Sequence, residues 1–226
     1  LKFCTNNDAI QTYNVTNMLL DNLTFIHSSV VFASNAKNIT LQNSYFSQKP
    51  VHSDITIYAK GQNVWGYFGG SYNNPICNLT VKDNIINPLG GTYAIYFDTM
   101  HPDAVCANYI INNTITNTFN YGIKVYMSAS SYTEVVNNTI YTTSDYFKDR
   151  MNAGIAISNN VHDVLVRGNT IHDLETGIEL VSGLTTGASN ISILNNIIYN
   201  ISAGIENLGF GIRFGLTPKV DNITIK

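Results

Sequence analysis

The sequence predicts an all-β fold, a right-handed parallel β-helix solenoid of about 7–8 coils of roughly 25–30 residues each, with few or no helices. Three observations predict it. An Asn-(Thr or small/apolar)-Ile segment recurs at Asn84, Asn113, Asn138, Asn169 and Asn196, at intervals of 29, 25, 31 and 27 residues. A second motif follows each copy in the same order: Tyr93-Ala94-Ile95, Tyr121-Gly122-Ile123, Ala153-Gly154-Ile155, Thr176-Gly177-Ile178 and Ala203-Gly204-Ile205. Within each unit apolar and polar residues alternate, as in Val164-Leu165-Val166 and Ile191-Ser192-Ile193, and no sustained helical periodicity competes with that strand period.

In chain order, residues 1–14 read as an irregular N-terminal cover or the continuation of a preceding coil, and residues 15–226 as the β-helix. The first units are weaker copies, at Asn22-Leu23-Thr24 and Asn43-Ser44-Tyr45. The interval then stretches to 41 residues before Asn84, and the Gly- and aromatic-rich stretch near residues 58–74 is predicted to be a loop insertion. Five regular units follow, interrupted near residues 142–152 by a smaller insertion carrying Asp145, Asp149 and Arg150. In each unit the recurrent Asn suits a tight bend, because it tolerates unusual backbone angles and can bond stacked copies of itself. Gly before Ile suits a corner where a side chain would clash. The closing Asn222-Ile223-Thr224-Ile225-Lys226 reads as another strand start, so the natural chain is expected to continue or to meet another subunit there.

These Asn-Thr-Ile and Gly-Ile motifs resemble the parallel β-helix repeat family found in pectate-lyase-like enzymes and in many microbial surface proteins. The resemblance covers roughly residues 15–226, and it implies a fold rather than a chemistry. Enzymes of that fold usually act on polysaccharides in an external groove lined by carboxylates, often with Arg, Lys or calcium. Arg is scarce here (Arg150, Arg167 and Arg213), which weakens a lyase reading.

Composition narrows the setting. Hydrophobic residues are 44% of the chain and charged residues only 12%, so a continuous core is affordable and the surface must be built from Asn, Thr, Ser and Tyr. The net charge of −3, with no basic stripe, argues against nucleic acid. No apolar run is long enough for a membrane span, and no basic-then-apolar leader opens the chain. The first residue is Leu1 rather than Met, so the chain reads as processed or trimmed. Cys77 and Cys106 each stand seven residues before a repeat Asn, which sets them at equivalent points of adjacent coils. They form either a disulfide or an unbonded stack of two buried thiols. Asn-x-Ser/Thr sequons at Asn14, Asn22, Asn38, Asn78, Asn112, Asn137, Asn190, Asn200 and Asn222 mark candidate glycosylation sites, although an Asn- and Thr-rich repeat also generates them for structural reasons. Together these features suggest a secreted or cell-surface protein and resemble archaeal or viral surface proteins.

If the Gly-Ile motifs keep register, the residues after Ile form an outward column of Tyr96, Lys124, Ala156, Glu179 and Glu206. Glu179 and Glu206 would then sit about 5 Å apart, the spacing of a retaining glycosidase pair, with Lys124 nearby; equally, they could share a cation such as calcium, or be ordinary solvated residues. No other cofactor is implied. Tyr96 and Tyr126 are candidate sugar-stacking residues among the outward tyrosines Tyr58, Tyr67, Tyr72, Tyr121 and Tyr141. Three functions follow: a structural or adhesive surface module that meets copies of itself or neighbouring domains of a surface assembly, filament or larger protein; a polysaccharide lyase or hydrolase; and a carbohydrate-binding module without turnover.

Overall fold

The computed structural model describes residues 8–32, 36–47, 55–60, 76–98, 106–126, 131–143, 153–158, 161–181, 188–202, 209–215 and 220–226. Among these residues there are 23 strands and no helix. The strands form three parallel sheets, two of eight strands and one of seven, and successive strands of the chain enter the three sheets in rotation. The result is a right-handed parallel β-helix of eight coils, each coil supplying one strand to each sheet except the last, which supplies two.

Stacked identical residues build the core. In the first sheet Ile57, Ile95, Ile123, Ile155, Ile178 and Ile212 are register partners from coil to coil. In the third, Phe25, Phe46, Ile86, Ile115, Ile140, Ile171 and Ile198 do the same. The Phe25 and Phe46 rings stack at 4.5 Å. Such columns bury a branched side chain against its own kind, with each coil covering the next.

The repeat asparagines are the internal counterpart of these columns. Asn84, Asn113, Asn138 and Asn169 are buried at the bend between the second and third sheets. The side-chain oxygens of Asn113, Asn138 and Asn169 each accept both the backbone N–H and the side-chain amide of the Asn on the preceding coil: Asn113 Oδ1 from Asn84 at 3.1 and 2.9 Å, Asn138 Oδ1 from Asn113 at 2.9 and 3.0 Å, Asn169 Oδ1 from Asn138 at 2.8 and 3.0 Å. Asn196 continues the ladder below Asn169. Ser44, in the weaker second unit, takes the place of an Asn: its backbone N–H donates to Asn84 Oδ1, and its hydroxyl accepts from the Leu23 backbone N–H at 3.1 Å.

The strands place two boundaries. Asp8–Thr12, within the segment read as an irregular cover or the continuation of a preceding coil, forms a strand paired with Ser29–Phe32. Ile55–Lys60 is a strand of the first sheet, which places Tyr58 on the solenoid wall rather than in the insertion near 58–74. Its inward Ile57 and outward Tyr58 keep the strand alternation that the Gly-rich stretch after it obscures. Residues 61–75 lie outside the described residues, as do 144–152 of the second insertion and Tyr67 and Tyr72.

Candidate functional site

The outer face of the first sheet gathers the chain's distinctive chemistry. Each strand there bends at the Gly-Ile motif: the Gly position and the Ile both turn inward, so the residue before Gly and the residue after Ile face out. A Cβ on Gly154 would lie 2.6 Å from the Ile171 side chain and 3.0 Å from the Gly177 carbonyl oxygen, so this corner is already filled without a side chain at Gly154. The rule puts Tyr93, Tyr121, Ala153, Thr176 and Phe210 on one outer line. Tyr58, Tyr96, Lys124, Ala156, Glu179 and Arg213 form the other.

The first half of this face is aromatic. Tyr58 and Tyr96 stack at 5.2 Å with rings 3° from parallel, Tyr96 and Tyr93 at 5.1 Å, and Tyr93 and Tyr121 at 5.7 Å. Tyr126 meets Tyr96 edge-on at 6.0 Å. Lys124 stands among them, its ammonium 4.9 Å from the Tyr121 ring centre, 5.3 Å from Tyr93, 5.5 Å from Tyr126 and 5.8 Å from Tyr96. Register generates the Tyr58–Tyr96 and Tyr93–Tyr121 stacks, since tyrosines at like positions on adjacent coils lie one strand spacing, ~4.8 Å, apart.

The second half is ionic. Tyr121 donates a hydrogen bond to Glu179, which belongs two coils further along. The coil between them carries only Ala153 and Ala156 on the same outer lines, and these are 0% and 1% exposed. Their methyl groups leave the room that the Tyr121–Glu179 bridge fills. Glu179 is itself 8% exposed, and Arg213 Nε lies 3.6 Å from its Oε1. Burial pushes the Glu179 carboxyl above the ordinary range, against the opposing pull of Arg213, the Tyr121 bond and Lys124. Burial and the neighbouring Glu179 raise the Tyr121 phenol to about 12, so it stays protonated and remains the donor.

This carries a pH signature. The native protein binds the Glu179 proton more tightly than the unfolded chain does, so Glu179 favours folding at low pH. That contribution falls as pH rises from the ordinary glutamate range through the raised native value. Glu179→Gln, which keeps an acceptor for Tyr121, is expected to flatten this decline in a series of melting temperatures between pH 4 and pH 8. An unchanged slope would assign the decline to other groups.

The expected column is present from Tyr96 through Lys124 and Ala156 to Glu179. Beside Glu179, however, the register partner is Arg213, not Glu206. The Gly-Ile pair that enters the first sheet in the eighth coil is Gly211-Ile212, and Glu206 lies outside the described residues. At that register position Glu179 therefore faces a guanidinium. Arg213 and Tyr93 are the residues the sequence reading missed. Gly211-Ile212-Arg213-Phe214 repeats the form of Gly177-Ile178-Glu179-Leu180, and Tyr93 opens a motif already recognised, so both signals were present.

Elsewhere, Tyr141 lies on the third sheet, where His172 is sandwiched between Tyr141 and Tyr199 at 4.9 and 4.6 Å and its Nδ1 lies 2.6 Å from Asp173 Oδ2. Among the described residues no group of three or more His, Cys, Asp or Glu side chains is placed to hold a metal ion. Cys77 is disulfide-bonded. The pairing of Tyr109 with Thr80 sets the backbone of Cys106 opposite Cys77, while the Cys106 side chain lies outside the described residues. No helix among the described residues is long and apolar enough to cross a membrane.

Residues 104–215 match the family model described as the right handed beta helix region. Comparison with curated proteins and with solved structures finds no match to the chain.

Proposed function

From a chain that is a right-handed parallel β-helix, we propose an extracellular surface module of adhesive type that binds carbohydrate, without turning it over, on the tyrosine face of its first sheet. One observation carries this reading: Tyr58, Tyr93, Tyr96, Tyr121 and Tyr126 share one outer face with Lys124 among their rings. Tyrosines held in register by a rigid wall offer flat apolar area and hydroxyl donors at little entropic cost, which suits pyranose rings. The disulfide at Cys77, for which Cys106 is the proposed partner, and the low charge content support an oxidising, extracellular setting. Assembly with other copies or with neighbouring domains is compatible with this role.

Titration calorimetry against a panel of neutral and acidic oligosaccharides tests the proposal. Tyr96→Ala is expected to weaken binding roughly tenfold, with Tyr126→Ala weaker in effect because its ring meets the stack edge-on. The sugar should be recovered intact by mass spectrometry. Binding that ignores both substitutions would sink the tyrosine face as the site.

A second reading, a polysaccharide-active enzyme, rests on Glu179. A buried carboxyl whose protonated form is favoured has the character of a general acid. It needs a second carboxylate or a base, and Arg213 occupies the neighbouring register position instead. Shortened oligosaccharide that disappears in Glu179→Gln would establish this reading over the first.

A further inference from the structure

The nine sequon asparagines share one conformation. All are exposed, and all have φ between 50° and 56°, the left-handed region that Asn tolerates better than other side chains with a Cβ. Asn38, Asn78, Asn190 and Asn222 each precede an inward Ile or Leu and an outward Thr or Ser, so the sequon is what a left-handed bend entering a second-sheet strand looks like in sequence. Their side chains differ in what they are bonded to.

Five of the nine have their amide nitrogen committed to the preceding coil. Asn38 Nδ2 donates to Asn17 Oδ1 at 3.0 Å, and Asn78 Nδ2 to Asn38 Oδ1 at 2.9 Å. Asn190 Nδ2 donates to Asp163 Oδ1 at 3.0 Å, and Asn222 Nδ2 to Asn190 Oδ1 at 2.7 Å. Asn112 Nδ2 donates to Asp83 Oδ1 at 2.6 Å. For Asn22, Asn137 and Asn200 the bends are equally exposed, and among the described residues their amides take no part in these inter-coil ladders. At Asn137 the next coil supplies Gly168, where a Cβ would lie 2.4 Å from Asn137 Oδ1, so it is the amide oxygen that packs against the next coil, in the place a side chain there would take.

We propose that Asn22, Asn137 and Asn200 are the N-glycan acceptors of the folded protein, and that Asn38, Asn78, Asn112, Asn190 and Asn222 stay bare because their amide nitrogens bridge coils. In the transfer, Nδ2 forms a bond to the anomeric carbon of a lipid-diphosphate-linked sugar. The anomeric C–O bond breaks, the lipid diphosphate leaves with the electron pair, and one Nδ2 proton passes to base. An amide nitrogen that donates across a strand spacing of about 4.8 Å has no room for a sugar on the bonded side. A glycan placed there before folding blocks the ladder, so molecules carrying it are depleted from the folded fraction. The inference goes beyond the binding proposal and rests on it only for export to a glycosylating compartment, which the test supplies.

The experiment is to secrete the full chain from a eukaryotic host, isolate the folded monodisperse fraction, and release the glycans with an amidase in heavy-oxygen water. Peptide mapping then reads occupancy at each asparagine. The expected result is label at Asn22, Asn137 and Asn200, and occupancy roughly tenfold lower at the five bridged positions, as one hydrogen bond's worth of competition predicts. Asp83→Ala removes the acceptor of Asn112 and should raise occupancy there while leaving Asn78 unchanged; Asp163→Ala does the same for Asn190 should the first variant fold poorly. Comparable label at bridged and unbridged positions, or no label at the three acceptors, overturns the proposal.

Discussion

Asn138→Ala is expected to lower the free energy of unfolding by about 3 kcal/mol, read as a shift of the urea midpoint at constant slope. The buried Asn138 side chain joins three coils. Its oxygen receives the backbone and side-chain N–H of Asn113, and its amide donates to Asn169 Oδ1, to Ile110 O at 2.9 Å and to Val136 O at 3.2 Å. Alanine strips the buried Asn113 backbone N–H of its acceptor, and the cost is that of a stranded buried donor rather than of one average hydrogen bond. Asn138→Asp, nearly the same shape, should be worse at neutral pH. It exchanges two donors for a buried charge facing Ile110 O, Val136 O and Asn169 Oδ1, all acceptors. Its stability should recover as the pH is lowered and the carboxyl regains a proton. A loss below about 1 kcal/mol for Asn138→Ala would mean that the ladder is decoration on a solenoid held by its isoleucine columns alone.

That ladder explains why the fold was legible. Every coil must bend at the same place, satisfy the same backbone groups and fill the same column, so Asn, a small residue or Thr, and Ile recur at the interval of one coil. The outer face of the first sheet was legible for a related reason. Once the Gly-Ile corner fixes which residues point inward, the line Tyr96, Lys124, Ala156, Glu179 follows from counting. Counting failed at the eighth coil because Gly204-Ile205 and Gly211-Ile212 satisfy the motif equally, and only hydrogen-bond pairing with Thr176–Val181 decides between them. The Tyr121–Glu179 bridge was not legible at all. It joins residues two coils apart and depends on the smallness of Ala153 and Ala156 between them, a relation without any fixed spacing in the sequence.

The sequons show the opposite hazard, where one pattern has two causes. A left-handed Asn followed by an inward Ile or Leu and an outward Thr is a sound way to begin a strand of the second sheet. It is also a glycosylation acceptor by its letters. Chain composition cannot separate the two uses, whereas the direction of each amide can: Asn78 Nδ2 donates to Asn38, and Asn137 rests its Oδ1 against Gly168.

Gly177→Ala should cost about 3 kcal/mol, whereas Gly211→Ala, the same motif position one coil on, should change stability by less than about 0.5 kcal/mol. A Cβ on Gly177 would lie 2.5 Å from the carbonyl oxygen of Gly211 and 2.6 Å from Ile198 Cγ2; one on Gly211 meets nothing within 4 Å. The Gly211 carbonyl is backbone in the adjacent strand of the first sheet and cannot swing aside as a long side chain can, so the strand Thr176–Val181 must move. Glu179 moves with it, two residues away, and its bond to Tyr121 spans a notch with little tolerance for displacement. Gly177→Ala should therefore also reduce the pH dependence assigned to Glu179, although the carboxyl itself is untouched, and Gly211→Ala should leave it intact. Equal losses from the two glycines would show that the motif is demanded by backbone conformation rather than by the packing of one coil on the next.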